Sequence, residues 1–226
     1  MSDNIRSITF AAILCLVCAV LLTAASSGLK ELQLKNIAVD KHKNILKAVG
    51  LLEADQKYSS SDIEKLYADA ISSVWVDAEG NLLKESKENT QQIFLFKKLD
   101  KIEAYVVPLN TKGLWGKIKG YLAMESDGVT VAGFTVFSHA ETPGLGAEIA
   151  SPWFQQNFVG KKIVNKDGKF VSVWVAKGKA PQANNENYVD GISGATLTGN
   201  FLAAGIKDTL AYFEPMADKF RKGAIN

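Results

Sequence analysis

The stretch Lys117–Ser138, KIKGYLAMESDGVTVAGFTVFS, decides the fold. Its halves, KIKGYLAM and VTVAGFTVFS, flank Ser126-Asp127-Gly128 and are rich in aromatic and β-branched residues. Such residues fit a pleated surface, and Asp-Gly is favoured where a tight turn needs positive φ. The segment therefore predicts an antiparallel hairpin. In its second half Val129, Val131, Thr135 and Phe137 alternate with Ala132, Phe134 and Val136. Both sets are largely apolar, which predicts a central strand covered on both faces.

Working outward, VWV before Asp77, IFLFKKL from Ile93 and AYVVPL from Ala104 have the same strand character. KKIVN and KFVSVWVA predict another hairpin, across Lys166-Asp167-Gly168. Helical patterns lie between them. Ser61-x-x-Glu64 is a capping box opening DIEKLYADAISS, and AEIASPWFQQNF reads as a helix interrupted near Pro152. Leu202, Ile206, Leu210 and Phe213 form one apolar stripe on a last helix, which Pro215 is expected to end. The hairpins exclude a doubly wound parallel sheet. The fold class is α+β, with a mixed, largely antiparallel sheet.

The N-terminal region has a different character. From Ser7 to Leu29 no residue is charged, with Arg6 at one end and Lys30 at the other. About 20 apolar residues span a bilayer core, so this is a single transmembrane helix. A retained anchor fits the length of the run better than a signal peptide cleaved near Ala25-Ser26-Ser27. Leu29 to Val49 continues as a helix out of the membrane. The expected organisation is an anchor over 1–29, a juxtamembrane helical and mixed region over 30–90, and a ligand-binding domain over 91–226. Arg6 on one side faces Lys30, Lys35, Lys41 and Lys43 on the other. Counted strictly, these charges place the large domain in the cytoplasm, although the rule weakens for large exported domains.

Composition excludes several functions. A net charge of +2 with interspersed signs gives no nucleic-acid footprint. Cys15 and Cys18, the sole cysteines, lie in the apolar run and read as small hydrophobes rather than a redox pair. His42 and His139 are the only histidines, so no metal site is expected.

Two glycine-rich corners carry the candidate chemistry. The first, HAETPGLGAEI from His139 to Ile149, follows the strong hairpin. Pro143, Gly144 and Gly146 suit a strand-to-helix turn, which is the reading the residues favour. The alternative is a place where bare backbone approaches a flat ligand and Leu145 packs on it. Gly144-Leu145-Gly146 begins a dinucleotide fingerprint, but Ile149 stands where its third glycine belongs, so a Rossmann site is rejected. His139 and Glu141 are read as structural hydrogen-bonders rather than an acid–base pair, and no residue is assigned a catalytic role. The second corner, DGISGATLTGN from Asp190 to Asn200, opens the last helix with Ser193, Thr196 and Thr198. A cap formed by Ser193 or Thr196 explains one hydroxyl but does not require three. A helix N-terminus also binds phosphate, and Gly194 and Ala195 allow close approach. Spacing leaves capping and phosphate binding both open.

Asp190-x-x-Ser193-Gly194-Ala195-Thr196 resembles the flavinylation motif D-x-x-[ST]-G-A-[ST], and ETPGLG from Glu141 to Gly146 resembles the second signature of the same covalent FMN-binding domain family. GLKELQLKNIAVDKHKNILKAVGL and GLWGKIKGYLAM are similar to further segments of the C-subunit family of sodium-translocating NADH:quinone reductases. The likeness runs nearly the full length, and Gly199 departs from it outside the attachment core. The resemblance implies FMN joined by a phosphoester to Thr196. A flavin transferase would supply it from FAD with release of AMP, leaving the flavin ring free for redox chemistry. It implies FMN contacts at Glu141, Thr142, Pro143, Gly144, Leu145, Gly146, Ser193, Gly194, Ala195 and Thr198, with Asp190 serving transferase recognition or ordering the turn. It further implies an electron-transfer subunit without its own NADH site, among other membrane subunits and lipid. The setting is a bacterial inner membrane, with the flavin domain periplasmic. Two alternatives are the related G-subunit family of Rnf-type ferredoxin:NAD reductases and a membrane-tethered assembly module without redox chemistry.

Overall fold

The computed structural model describes residues 3–53 and 56–225. The chain divides into two compact units, Met1–Lys41 and His42–Asn226. The first consists of the exposed part of helix α1 (Asp3–Ala48), which contains an 18-residue window of mean hydropathy 2.7, none of it buried. Length and composition are those of a membrane-crossing helix. The large apolar side chains there are exposed, a cost that a lipid environment would remove.

The second unit is built on a six-stranded sheet ordered β2-β1-β3-β4-β5-β6, antiparallel throughout. Its strands are β1 (Ile71–Val76), β2 (Leu82–Leu83), β3 (Gln91–Lys98), β4 (Lys101–Lys112), β5 (Lys117–Glu125) and β6 (Val131–Ser138). Register separates the two faces. Phe94, Val106, Ala123 and Gly133 form one cross-strand row, and Leu95, Tyr105, Met124 and Val131 form the next, on the opposite face. The C-terminal turns of α1 cover the first face: the Thr135 hydroxyl donates to the Asn44 carbonyl at 3.4 Å. Gly133 allows this approach, since a Cβ there would lie 2.2 Å from the Ala48 carbonyl oxygen. Helix α2 (Ser60–Ala70) is tied to α1 by stacking of Tyr67 on His42 at 3.8 Å. Helix α4 (Thr196–Arg221) covers the second face, with Phe220 stacked on Tyr105 at 4.7 Å. The main core lies between this face and α4, where Leu202, Ile206, Leu210 and Phe213 are all buried as the stripe requires.

Several local expectations are corrected. Strand β6 is at the sheet edge, not at its centre. It is apolar on both faces because the end of α1 covers one and the main core, including Phe158, covers the other, while the coil before Lys162 bonds its outer edge. Gly160 N–H donates to the Val131 carbonyl, and Val131 N–H to that of Lys161, both at 2.8 Å. A register shift at Ala123/Met124 skips Ala132, so Val131 joins the core with Phe134 and Val136 while Thr135 faces α1. The box capping α2 is Ser59 with Asp62, two residues earlier than expected, and that helix stops at Ala70. The hairpin across Lys166-Asp167-Gly168 shrinks to one bridge, Val164 to Phe170. Buried Ser172, at φ 69°, turns the chain away, and Trp174–Val175 (β7) pairs in parallel with Tyr188–Val189 (β8). Finally, α4 continues through Pro215 to Arg221. An interior proline costs ~3 kcal/mol, but burying Met216 and Phe220 contributes roughly 1.5–3 kcal/mol each, enough to hold the helix together. The interrupted helix is as expected: a 3-10 turn over Gly146–Ala150, then α3 (Pro152–Gln156).

Candidate functional site

Sheet topology brings the two glycine corners together. The chain leaves β6 into Glu141–Gly146, and β8 delivers it to Asp190 and the start of α4. Between them lies a cavity of about 370 Å³ lined by Glu141, Thr142, Leu145, Gly146 and Gly194 to Thr198, with Leu114 and Trp115 from the β4–β5 turn. Its volume falls in the range of roughly 300–1,000 Å³ typical of small-molecule sites.

Glu141 joins these elements. Its Oε1 accepts from the Leu114 N–H at 2.8 Å and the Trp115 N–H at 3.1 Å, while its Oε2 accepts from the Thr198 hydroxyl at 2.6 Å. Glu141 is 5 % exposed and Thr198 1 %. The third hydroxyl of the motif is therefore engaged in tying α4 to the first corner. The geometry also resolves the role of His139, whose Nδ1 accepts the Glu141 backbone N–H at 3.2 Å. With its carboxylate held elsewhere, Glu141 forms no acid–base pair with this imidazole.

Of the two readings left open, the side-chain cap of α4 by Ser193 or Thr196 is not formed. Ala195 is the cap residue, and among the described residues no side chain bonds the free amides of the first turn. A helix start leaves its first N–H groups without intrahelical partners and carries partial positive charge. Here that turn lines the cavity, and half-buried Thr196 is among the lining residues. Gly194 adopts φ 74°, which side chains rarely accept, and a Cβ there would lie 2.8 Å from Leu145 Cδ2. The residues suit FMN: open amides and a hydroxyl for a phosphate, and the exposed apolar surfaces of Leu114, Trp115, Leu145 and Leu197 for a flat ring.

Pro143, Gly144 and Ser193 belong to the corners but do not line the cavity, and neither does Asp190. Asp190 instead clamps the adjoining loop. It accepts from Lys179 Nζ at 2.6 Å and from the Ala180 N–H at 2.7 Å, while Gly191 N–H donates to the Gly178 carbonyl at 2.7 Å. The Lys179 ammonium and then the Ala180 amide hold its carboxyl below the ordinary value of 3.8. The clamp therefore contributes fully above that value and is lost as pH falls through the lowered folded one. The protection of the Gly191–Ala195 amides, taken relative to the intrinsic exchange rate at each pH, should fall on acidification below about pH 4, and Asp190→Asn should remove that dependence.

Sequence reasoning missed Leu114 and Trp115. Their signal is Gly113 and Gly116 on either side, which close a tight turn through a Gly113 N–H to Gly116 carbonyl bond of 2.6 Å.

Residues 113–211 match the family described as FMN-binding domain. The Na(+)-translocating NADH-quinone reductase C-subunit of Vibrio anguillarum is 33% identical, covering 100% of this chain and 98% of the relative. That of Yersinia pestis is 31% identical over 99% of this chain and 96% of its own. The crystal structure of the same C-subunit from Parabacteroides distasonis superposes with a TM-score of 0.73 at 31% identity, covering 84% of this chain and 96% of that one. The Shewanella oneidensis protein NqrC, 22% identical, shares the fold with a TM-score of 0.65.

Proposed function

We propose, since this chain belongs to the C-subunit family of Na(+)-translocating NADH-quinone reductases and carries its FMN-binding domain, that it relays electrons through an FMN covalently joined to Thr196. One observation carries this reading: Thr196 stands at an uncapped helix start in the lining of a cavity with an apolar rim. The first-turn amides of α4 hold the phosphate, Gly194 and Ala195 allow its approach, and Thr196 Oγ1 is the point of attachment. Leu145, Leu114 and Trp115 cover the ring and exclude water from it, while Thr142 and Gly146 complete the wall. When bound, FMN supplies one- and two-electron chemistry that no side chain offers. Asp190 orders the loop that presents Thr196 to the transferase.

The helix α1 anchors the protein in the bacterial inner membrane beside the other members of the complex, with the flavin domain periplasmic. Protease added to intact spheroplasts should digest the domain; complete protection would place it in the cytoplasm. Co-expression with a flavin transferase tests attachment. The intact mass should rise by about 438 Da, the formula mass of FMN less water. An unchanged mass under those conditions rejects covalent attachment.

A further inference from the structure

We propose that Glu141 sets the flavin's reduction potential: its carboxylate is a fixed negative charge in the cavity wall that disfavours the reduced ring. This rests on the reading above, that FMN occupies the cavity. The observation behind it is a buried carboxylate whose donors among the described residues are all neutral, two backbone amides and the Thr198 hydroxyl. None of the ion pairs among the described residues includes it.

The surroundings make room for this group. A Cβ on Gly113 would lie 2.4 Å from Oε1, and one on Gly146 would lie 2.7 Å from Oε2. Yet holding the three elements together does not require a charge. A glutamine could accept both amides through its Oε1 and donate to the Thr198 hydroxyl oxygen through its Nε2, since a hydroxyl both donates and accepts. The geometry is thus available to a neutral residue, and the charge is what remains to be explained.

Charge beside a flavin tunes its electronics. Two electrons and one proton convert the oxidised ring to its reduced anion, which carries one more negative charge. A neighbouring carboxylate repels that charge, most strongly where water is excluded. Neutralising Glu141 should raise the potential.

The test is a spectroelectrochemical titration of the flavinylated full-length chain in detergent, comparing wild type with Glu141→Gln and Thr198→Val. Covalent flavin occupancy is checked in each. Glu141→Gln keeps the geometry and removes the charge. It should shift the reduced-to-oxidised ratio at fixed potential at least tenfold toward reduced, which is about 30 mV for a two-electron couple. Thr198→Val keeps the charge, loses one bond, and should shift the ratio less than threefold. Equal shifts in the two variants would mean that geometry acts rather than charge, and overturn the proposal. So would a Gln variant within twofold of wild type, or one that cannot be flavinylated at all. A wild-type chain without flavin would instead overturn the underlying reading of the site.

Discussion

Replacing Thr196 with alanine will abolish covalent flavin while leaving the domain folded. On a denaturing gel of protein co-expressed with a flavin transferase, the fluorescent band should fall to background, and Thr196→Ser should keep it. The specificity comes from how the three hydroxyls of the motif are situated. Thr198 is buried and donates to Glu141. Ser193 is exposed and does not line the cavity. Thr196 alone lines the cavity with its hydroxyl bonded to none of the described residues. Losing that hydroxyl should change stability by no more than about 0.5 kcal/mol, the usual range for positions outside the core. A variant that keeps its band would move the attachment point to another residue.

Gly205→Ala should destabilise the domain, against what helix propensity alone predicts. In an exposed helix interior the change would stabilise by ~1 kcal/mol. Here Gly205 packs on β4, and a Cβ would lie 1.9 Å from Thr111 Oγ1 and 2.3 Å from its Cβ. No rotation of Thr111 moves its own Cβ, so either the helix or the strand must shift. Overpacking of this kind costs typically 1–3 kcal/mol, which outweighs the propensity gain. Chemical denaturation should therefore give a net loss of up to ~2 kcal/mol. Adding Thr111→Gly, which vacates the space, should restore part of that loss despite the flexibility of a glycine in a strand. A single variant more stable than wild type would mean that the α4–β4 contact is looser than these distances.

The contrast between local and distant determinants explains what the sequence revealed. The β5–β6 hairpin was legible because Asp127-Gly128 and the flanking alternation specify it locally. Its edge position was not, because the cover comes from Asn44, 91 residues away from Thr135. The skip at Ala132 leaves no mark in an apolar run, so the faces read from simple alternation were wrong beyond it. Pro215 misled for a related reason: a local rule ends the helix there, whereas tertiary burial of Met216 and Phe220 keeps it going. Each glycine corner could be seen as a turn, and helix physics made the second a candidate for phosphate binding beside the capping alternative. What could not be read from spacing was that the corners meet, or that Thr198 is the residue joining them. Resemblance to the family pattern, rather than periodicity, assigned Thr196. It also named Glu141 without showing that this side chain holds three segments at once.

The three segments joined at Glu141 have a consequence for the order of events in biogenesis. The carboxylate bonds to Leu114 and Trp115, 27 and 26 residues earlier, and to Thr198, 57 residues later. The cavity is therefore incomplete until the last helix has been synthesised and docked. Domains emerging from the ribosome fold from the N-terminal side, and contacts between distant segments form late. The membrane helix is thus made long before Thr196 stands in a formed pocket. Under the attachment proposed above, a transferase that reads the pocket's shape would modify only chains that have finished folding, and the covalent flavin would serve as a record of completed folding.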